Sequence, residues 1–227
     1  MSRTDWRSLP KEEKEKFYLE LAEELTEHKR ALFEEKIQYR TRHISLALED
    51  MMKTQNASAL MRTADAFGVH EVHVYDKNER FNVSSGISKG VEKWLDVRFF
   101  NTYDEGGVET WAEGLKSGGK KLYVTALNEH AKPLDELDPT VPAVICFGNE
   151  QLGASQALIQ AADELVYIPM KGFVESFNVS VSCGIALHHL TLGMDRSGIP
   201  RGLSPEDSLD TRIQWALRTV PNPHRFL

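Results

Sequence analysis

The sequence predicts an α/β fold: a mainly parallel sheet flanked by helices, with further helices at both ends of the chain. Two observations predict it. From residue 44 onward, short apolar runs rich in β-branched and aromatic residues alternate with stretches of helical period. Before that point, apolar residues recur only at helical spacing among Glu and Lys.

Taken in order, Phe17, Leu21, Leu25, Leu32 and Phe33 predict one or two helices over residues 10–39. ISLALED (44–50) predicts a strand. Residues 56–67 predict a helix stopped by Gly68, with Asn56 as its N-cap. EVHVYD (71–76) and VRFF (97–100) predict two more strands, and residues 106–117 a helix closed by Gly118 and Gly119. KLYVTAL (121–127), AVICFG (143–148) and LVYIPM (165–170) predict three further strands, with a helix over 153–163 between the last two. Residues 178–193 predict a helix rich in small residues. A polar, turn-rich linker follows Gly193, then a final helix over about 206–218. In open α/β sheets ligands sit beyond the carboxyl ends of the strands, which directs attention to residues 125–130, 148–155 and 170–178.

Composition narrows the functional classes. The 227 residues suit one domain with extensions. No apolar run is long enough to span a membrane, so no membrane partner is expected. The charged N-terminus lacks the apolar core of a secretory signal. Cys146 and Cys183 both lie in apolar stretches, which fits reduced, buried thiols in a cytoplasmic protein. A net charge of −7 argues against nucleic acid as a partner, but the acid is concentrated mid-chain. Lys36, Arg40, Arg42 and His43 form a carboxylate-free stretch, and Arg218, His224 and Arg225 lie in the tail. Such clusters suit phosphates, or equally a solvated helix face and a loose tail.

Three segments carry candidate chemistry. In QNASALMRTADAFG (55–68), Arg62 stands among Met61, Thr63 and Ala64 in a helix poor in charge. An Arg there is either a buried ion-pair partner or an anion clamp. In FGNEQLGAS (147–155), a strand runs into Gly148 and a polar turn, where backbone N–H groups can hold a ligand. The turn matches neither phosphate-binding glycine motif. In IPMKGFVESFNVSVSCGIAL (168–187), Ser176 or Asn178 would cap a helix, beside Gly172 and Lys171. His188 and His189 are adjacent on a helix and diverge, and His70 and His73 lack partners at zinc spacing, so no metal is expected. No nucleophile elbow or Ser/His/Asp arrangement is visible.

In this order and spacing, Asn56–x5–Arg62–Thr63, Gly148–Asn149–Glu150 and Ile168-Pro169-Met170 through Ser176-Phe177-Asn178-Val179-Ser180 resemble the SpoU/TrmH family of RNA 2′-O-ribose methyltransferases, within the SPOUT superfamily. The resemblance covers roughly residues 44–192. One departure is Phe177, where the family usually has Leu. RTADAFGVHEVHVYD (62–76) and GISKGVEKWLDV (86–97) are most similar to the branch acting on guanosine-18 of tRNA.

The resemblance implies a helical extension at 1–43, a methyltransferase domain at 44–192 with a deep trefoil knot in its C-terminal part, and a linker with a helical extension at 193–227. It implies a homodimer, S-adenosyl-L-methionine as cofactor and tRNA as partner. An rRNA substrate and a catalytically silent RNA-binding module are the alternatives. Cofactor contacts fall on Thr125, Ala126, Gly148, Ile168, Met170 and Phe177, and catalytic roles on Arg62, Asn56, Glu150, Ser176 and Asn178. RNA contacts are expected at Arg40, Arg42, Lys89 and Lys171. The family assigns activation of the ribose hydroxyl to the arginine matching Arg62. A guanidinium keeps its proton to about pH 12.5, so a phosphate clamp suits it better than a general base. Asn56 and Asn178 would orient Arg62 or the ribose, Glu150 would pair with Arg62 or shape its loop, and Ser176 would cap the last helix.

Overall fold

The computed structural model describes residues 5–77, 81–100 and 106–227. These form two compact units. One takes the residues up to Arg40 together with Arg201–Leu227, and the other is Thr41–Pro200.

The first unit holds α1 (Lys11–Glu23), α2 (Glu27–Ile37) and, from the other end of the chain, α8 (Pro205–Leu217). Phe33 of α2 meets Trp215 of α8 edge-on at 5.3 Å, and Lys14 of α1 pairs with Asp210 at 2.8 Å. The two terminal extensions thus fold on each other. The first four residues of the N-terminal extension lie outside the described residues.

The second unit is a sheet of β1 (Ile44–Glu49), β2 (Glu71–Tyr75), β3 (Asp96–Phe100), β4 (Lys121–Thr125), β5 (Lys132–Pro133), β6 (Ala143–Phe147) and β7 (Glu164–Tyr167). The strand order is β3-β2-β1-β6-β4-β7-β5, and every pairing is parallel. Its helices are α3 (Thr54–Ala66), the single turn α4 (Ser85–Ser88), α5 (Val108–Leu115), α6 (Gln156–Ala161) and α7 (Val179–Arg196).

Strand alternation sorts the side chains into two cores. Ile44, Leu46 and Leu48 of β1 and Ile145 and Phe147 of β6 pack with Leu60, Met61 and Ala64 of α3 and with α7. On α7, Cys183, Ala186, Leu187, Leu190 and Met194 form one helical stripe. Ala47, Val144 and Cys146 face the opposite way, toward Trp111, Ala112 and Leu115 of α5 and Leu158 of α6. Helices therefore cover both faces, which is why the central strands carry unbroken apolar runs.

Several boundaries differ from the sequence expectation, each for a local reason. β7 stops at Tyr167 instead of continuing to Met170, because Pro169 has no N–H for the ladder. α6 begins at Gln156, after Gly153 in the left-handed region (φ 72°) and Ser155 as N-cap. Gly193 does not end α7: a Cβ there would lie 2.6 Å from Pro139 Cγ, so the glycine permits close packing and the helix continues to Arg196. Residues 193–200 accordingly belong to the sheet unit. Asn56 does not cap α3; it lies inside the helix, whose N-cap is Lys53.

Candidate active site

The loops leaving β4, β6 and β7 and the start of α7 enclose a cavity of about 580 Å³ at the carboxyl end of the sheet. That volume is ordinary for a small-molecule site.

The loop after β6 is shaped by Gly148. A Cβ there would fall 2.2 Å from the backbone N of Ala154, so only glycine lets the loop double back. Asn149 ties it together. Its Oδ1 accepts from the N–H groups of Gln151 (2.8 Å) and Leu152 (3.1 Å), and its Nδ2 donates to the Asp50 carbonyl (2.8 Å).

Glu150 then reaches α3. The N-cap Lys53 makes no side-chain capping bond. Glu150 instead ties down the two residues that lead into the helix and one side chain of its first turn: its Oε2 accepts from Met52 N (2.9 Å) and its Oε1 from Lys53 N (3.0 Å) and Asn56 Nδ2 (3.0 Å). Partial burial pushes the Glu150 carboxyl pKa up, but the Met52 amide, the Asn56 side chain and further backbone N–H groups outweigh it and hold it below the ordinary value. Asn56 Oδ1 in turn accepts from Asn178 Nδ2 (3.2 Å), and Asn178 Oδ1 accepts from Ser180 N (2.9 Å), capping α7. One polar chain, Glu150–Asn56–Asn178, thus joins the β6 loop to the N-termini of α3 and α7.

Apolar wall is supplied by Leu134, Phe147, Ile168, Met170 and Phe177. The charged side chains on the wall are Lys53 and Glu150. Thr125 and Ala126 line it with their polar groups engaged in the sheet: Thr125 Oγ1 donates to the Cys146 carbonyl (3.0 Å) and Ala126 N to the Val166 carbonyl (3.0 Å). A pocket with apolar walls and one charge of each sign suits a small zwitterion with an apolar body.

A protein-family model described as the SpoU rRNA Methylase family matches residues 43–188. The chain belongs to the SpoU methylase family. It is 31% identical to a tRNA (guanosine(18)-2′-O)-methyltransferase of Borreliella burgdorferi over 89% of this chain and 90% of that one. It is 34% identical to the enzyme of the same name from Thermus thermophilus, over 84% and 93%. Among solved structures, a TrmH/SpoU tRNA-modifying enzyme of Aquifex aeolicus superposes with a TM-score of 0.78 at 27% identity, covering 86% of this chain and 98% of that one.

Of the residues singled out from the sequence of this SpoU-family chain, Asn56, Glu150, Ser176, Asn178, Thr125, Ala126, Gly148, Ile168, Met170 and Phe177 all line the one cavity. Ser176 lies at its exposed edge and caps nothing; Asn178 is the N-cap of α7.

Arg62 is not on the cavity wall. It is exposed on α3, and its Nη1 donates to the Ile87 carbonyl at 3.3 Å. It therefore does not pair with Glu150, whose carboxylate is taken by the start of α3. Arg62 is also not a buried ion-pair partner.

The expected RNA contacts divide. Lys89 and Lys171 are exposed. Arg40 is only 5% exposed, with its guanidinium 5.3 Å over the Trp215 ring. Arg42 lies against Glu71 and Asp96. Burial and pairing give these two arginines structural roles. Lys53, Leu127 and Gln151 also line the cavity but were not singled out. Leu127 and Gln151 fall in the stretches 125–130 and 148–155 that follow the strand ends, and Lys53 stands three residues before Asn56. Among the described residues, no group of three or more His, Cys, Asp or Glu is placed to hold a metal ion.

Proposed function

We propose that this chain transfers a methyl group from S-adenosyl-L-methionine to the ribose 2′-hydroxyl of guanosine 18 in tRNA. The observation that carries the reading is the Glu150–Asn56–Asn178 chain on the cavity wall. Similarity along most of the chain to enzymes named for that reaction supports the substrate.

When bound, the cofactor supplies a methyl group on a positively charged sulphur that is already a good leaving group. The chain's own residues do the rest. Ile168, Met170 and Phe177 exclude water from the cavity, and Gly148 and Ala126 bring backbone close to its contents. Glu150 and Lys53 complement the charges of a zwitterion. Asn56 and Asn178 hold the wall rigid between the two helices. Arg62 holds the phosphate beside the target ribose, fixing the 2′-hydroxyl and stabilising the negative charge that develops on it, while a phosphate oxygen takes the proton. Lys89 and Lys171 contact other phosphates.

The reading includes a trefoil knot, a homodimer and a cytoplasmic workplace. The strand order supports the knot: after β4 the chain passes out to β5, returns to place β6 between β1 and β4, and then inserts β7 between β4 and β5. Exposed Leu152, Phe173, Val174 and Val181, three of them within or beside the motif loops, support a covering partner chain. Sedimentation should then give twice the 25.7 kDa chain mass. Free, buried Cys146 and Cys183 suit a reducing compartment.

The deciding experiment incubates the protein with labelled S-adenosyl-L-methionine and unmodified tRNA or 23S rRNA, then maps the methylated nucleotide. The expected product is 2′-O-methylguanosine at position 18 of tRNA. Methylation of rRNA alone would move the substrate. Binding of tRNA without methyl transfer would make the chain a silent RNA-binding module.

A further inference from the structure

Ser58 lies on α3 between Asn56 and Arg62, and its side chain is fully buried. A buried hydroxyl is unfavourable unless its bonds are made. Its Oγ donates to the Thr54 carbonyl at 2.6 Å, a common local bond within a helix. The same Oγ accepts from Ser84 N at 2.8 Å, which is not local. Ser84 opens the single turn α4: its carbonyl accepts from Ile87 N (3.0 Å) and Ser88 N (2.8 Å). The Ile87 carbonyl at the end of that turn accepts from Arg62 Nη1.

Ser58 and Arg62 are one helical turn apart on α3 and so face the same way. The α4 turn is therefore clipped to α3 at both ends, by Ser58 at its start and by Arg62 at its finish. An exposed arginine samples many rotamers unless something holds it. Here the holding group is a main-chain carbonyl, and the Ser58 hydroxyl is the side chain of α3 that hydrogen-bonds the start of the turn carrying it. The contact uses one of the five guanidinium N–H groups and leaves the planar fork able to meet an anion.

We propose that Ser58 is a positioning residue for methyl transfer: through the Ser84–Ile87 turn it sets the direction of the Arg62 guanidinium. The proposal rests on the reading that Arg62 acts on the substrate. Ser58 touches neither the cavity nor any group that reacts, and it is not among the residues lining the cavity. Its variants should therefore leave cofactor affinity alone.

The test uses two variants that break the same hydrogen bond from opposite sides. Ser58→Ala removes the acceptor. Ser84→Pro removes the donor at the residue just before α4, where no N–H within the helix is lost, and leaves α3 untouched. Each is compared with the parent, and again in an Arg62→Ala background, for kcat, KM for tRNA, S-adenosyl-L-methionine affinity and melting temperature. The expected result is a fall in kcat of about 10- to 100-fold with KM and cofactor affinity unchanged, and no further fall when Arg62 is already Ala. A merely structural role would lower melting temperature and cofactor affinity together and multiply with Arg62→Ala; that outcome overturns the proposal. If Ser58→Ala fails to fold, Ser84→Pro decides by the same criteria. Parental kcat in both serine-site variants, with Arg62→Ala inactive, overturns the proposal alone. Parental kcat in Arg62→Ala overturns the reading of Arg62 and the proposal with it.

Discussion

Two carboxylates at opposite ends of the sheet are both held below their ordinary pKa, by different means. Glu71 opens β2 at the amino end and Glu150 follows β6 at the carboxyl end. Burial pushes the Glu71 pKa up, but Lys120, Arg42 and Arg98 overcome it and bring it to about 2. Lys120 Nζ stands 2.8 Å from Glu71 Oε2 and Arg98 Nη2 2.9 Å from Oε1, with Arg42 closer still and Ser45 Oγ at 3.1 Å. Glu150 is held by neutral N–H donors, and among the described residues it has no ion pair. The amino end is thus neutralised internally, so its charges serve the fold. The carboxyl end keeps a carboxylate whose charge no cation cancels, on the wall of an open cavity. The difference marks which end of the sheet is built to bind.

The largest effect is expected at the binding end. Arg62→Ala should reduce methyl transfer about a thousandfold, equivalent to about 4 kcal/mol, while leaving cofactor affinity and melting temperature near those of the parent. Single-turnover assays with tRNA, paired with cofactor titration, check this. A matching loss of thermal stability would show that Arg62 serves the fold, as the amino-end arginines do.

The next effect belongs to the amino end and should appear in stability, with cofactor affinity retained. Glu71→Gln leaves Lys120, Arg42 and Arg98 around a neutral group and should cost about 3 kcal/mol in urea unfolding. The parent should show the matching pH dependence. The folded pKa of Glu71 is depressed from 4.5 to about 2. Its contribution is therefore present above pH 4.5 and lost as the pH falls toward 2, about 3 kcal/mol in all. His73, beside it, is lowered from 6.5 to about 4 by burial, partly opposed by Glu71. A depressed histidine acts in the same direction: stability present above 6.5 is lost as the pH falls through about 4. Glu71→Gln should flatten the acid limb of the curve below pH 4.5.

The sheet was legible in the sequence because period two and period 3.6 are local signals. The two-residue β5 was not, since Lys132 and Pro133 carry no period at all. The outward position of Arg62 was latent in the same periodicity. Ala57, Leu60, Met61 and Ala64 are the buried apolar positions of α3, with the polar Asn56 and Ser58 buried near its start, and Arg62 falls off the apolar stripe although its sequence neighbours are apolar. The membership of the cavity was read through motif resemblance, but the joint that builds it was not. Glu150 and Asn56 are 94 residues apart, and only the fold brings them to 3.0 Å. Arg40 misled for the same reason. Its partner Trp215 lies in the last helix of the chain, and no local pattern distinguishes a cation bound for an aromatic face from one bound for RNA.

Two smaller effects sharpen the contrast between the ends. Glu150→Gln keeps the shape and an acceptor oxygen but removes the charge. It should weaken S-adenosyl-L-methionine binding about tenfold, or about 1.4 kcal/mol, measured by titration calorimetry. Because its donors are neutral amides, no buried cation is left stranded, so its unfolding free energy should fall by less than that of Glu71→Gln. Equal stability losses in the two variants would erase the distinction between the two carboxylates.

The smallest effect is expected at Lys171, exposed in the loop after β7. A lysine that meets one phosphate contributes about one counterion to the salt dependence of binding. Lys171→Ala should lower the slope of log K against log salt for tRNA by about one and weaken binding only a few-fold near physiological ionic strength, with kcat unchanged. Arg42→Ala provides the contrast, because that side chain lies against Glu71 and Asp96 at the other end of the sheet. It should leave the salt slope as it is and lower the unfolding free energy instead. If Arg42→Ala changed the slope and Lys171→Ala did not, RNA would be meeting the amino end of the sheet, and the division of labour between the two ends would be reversed.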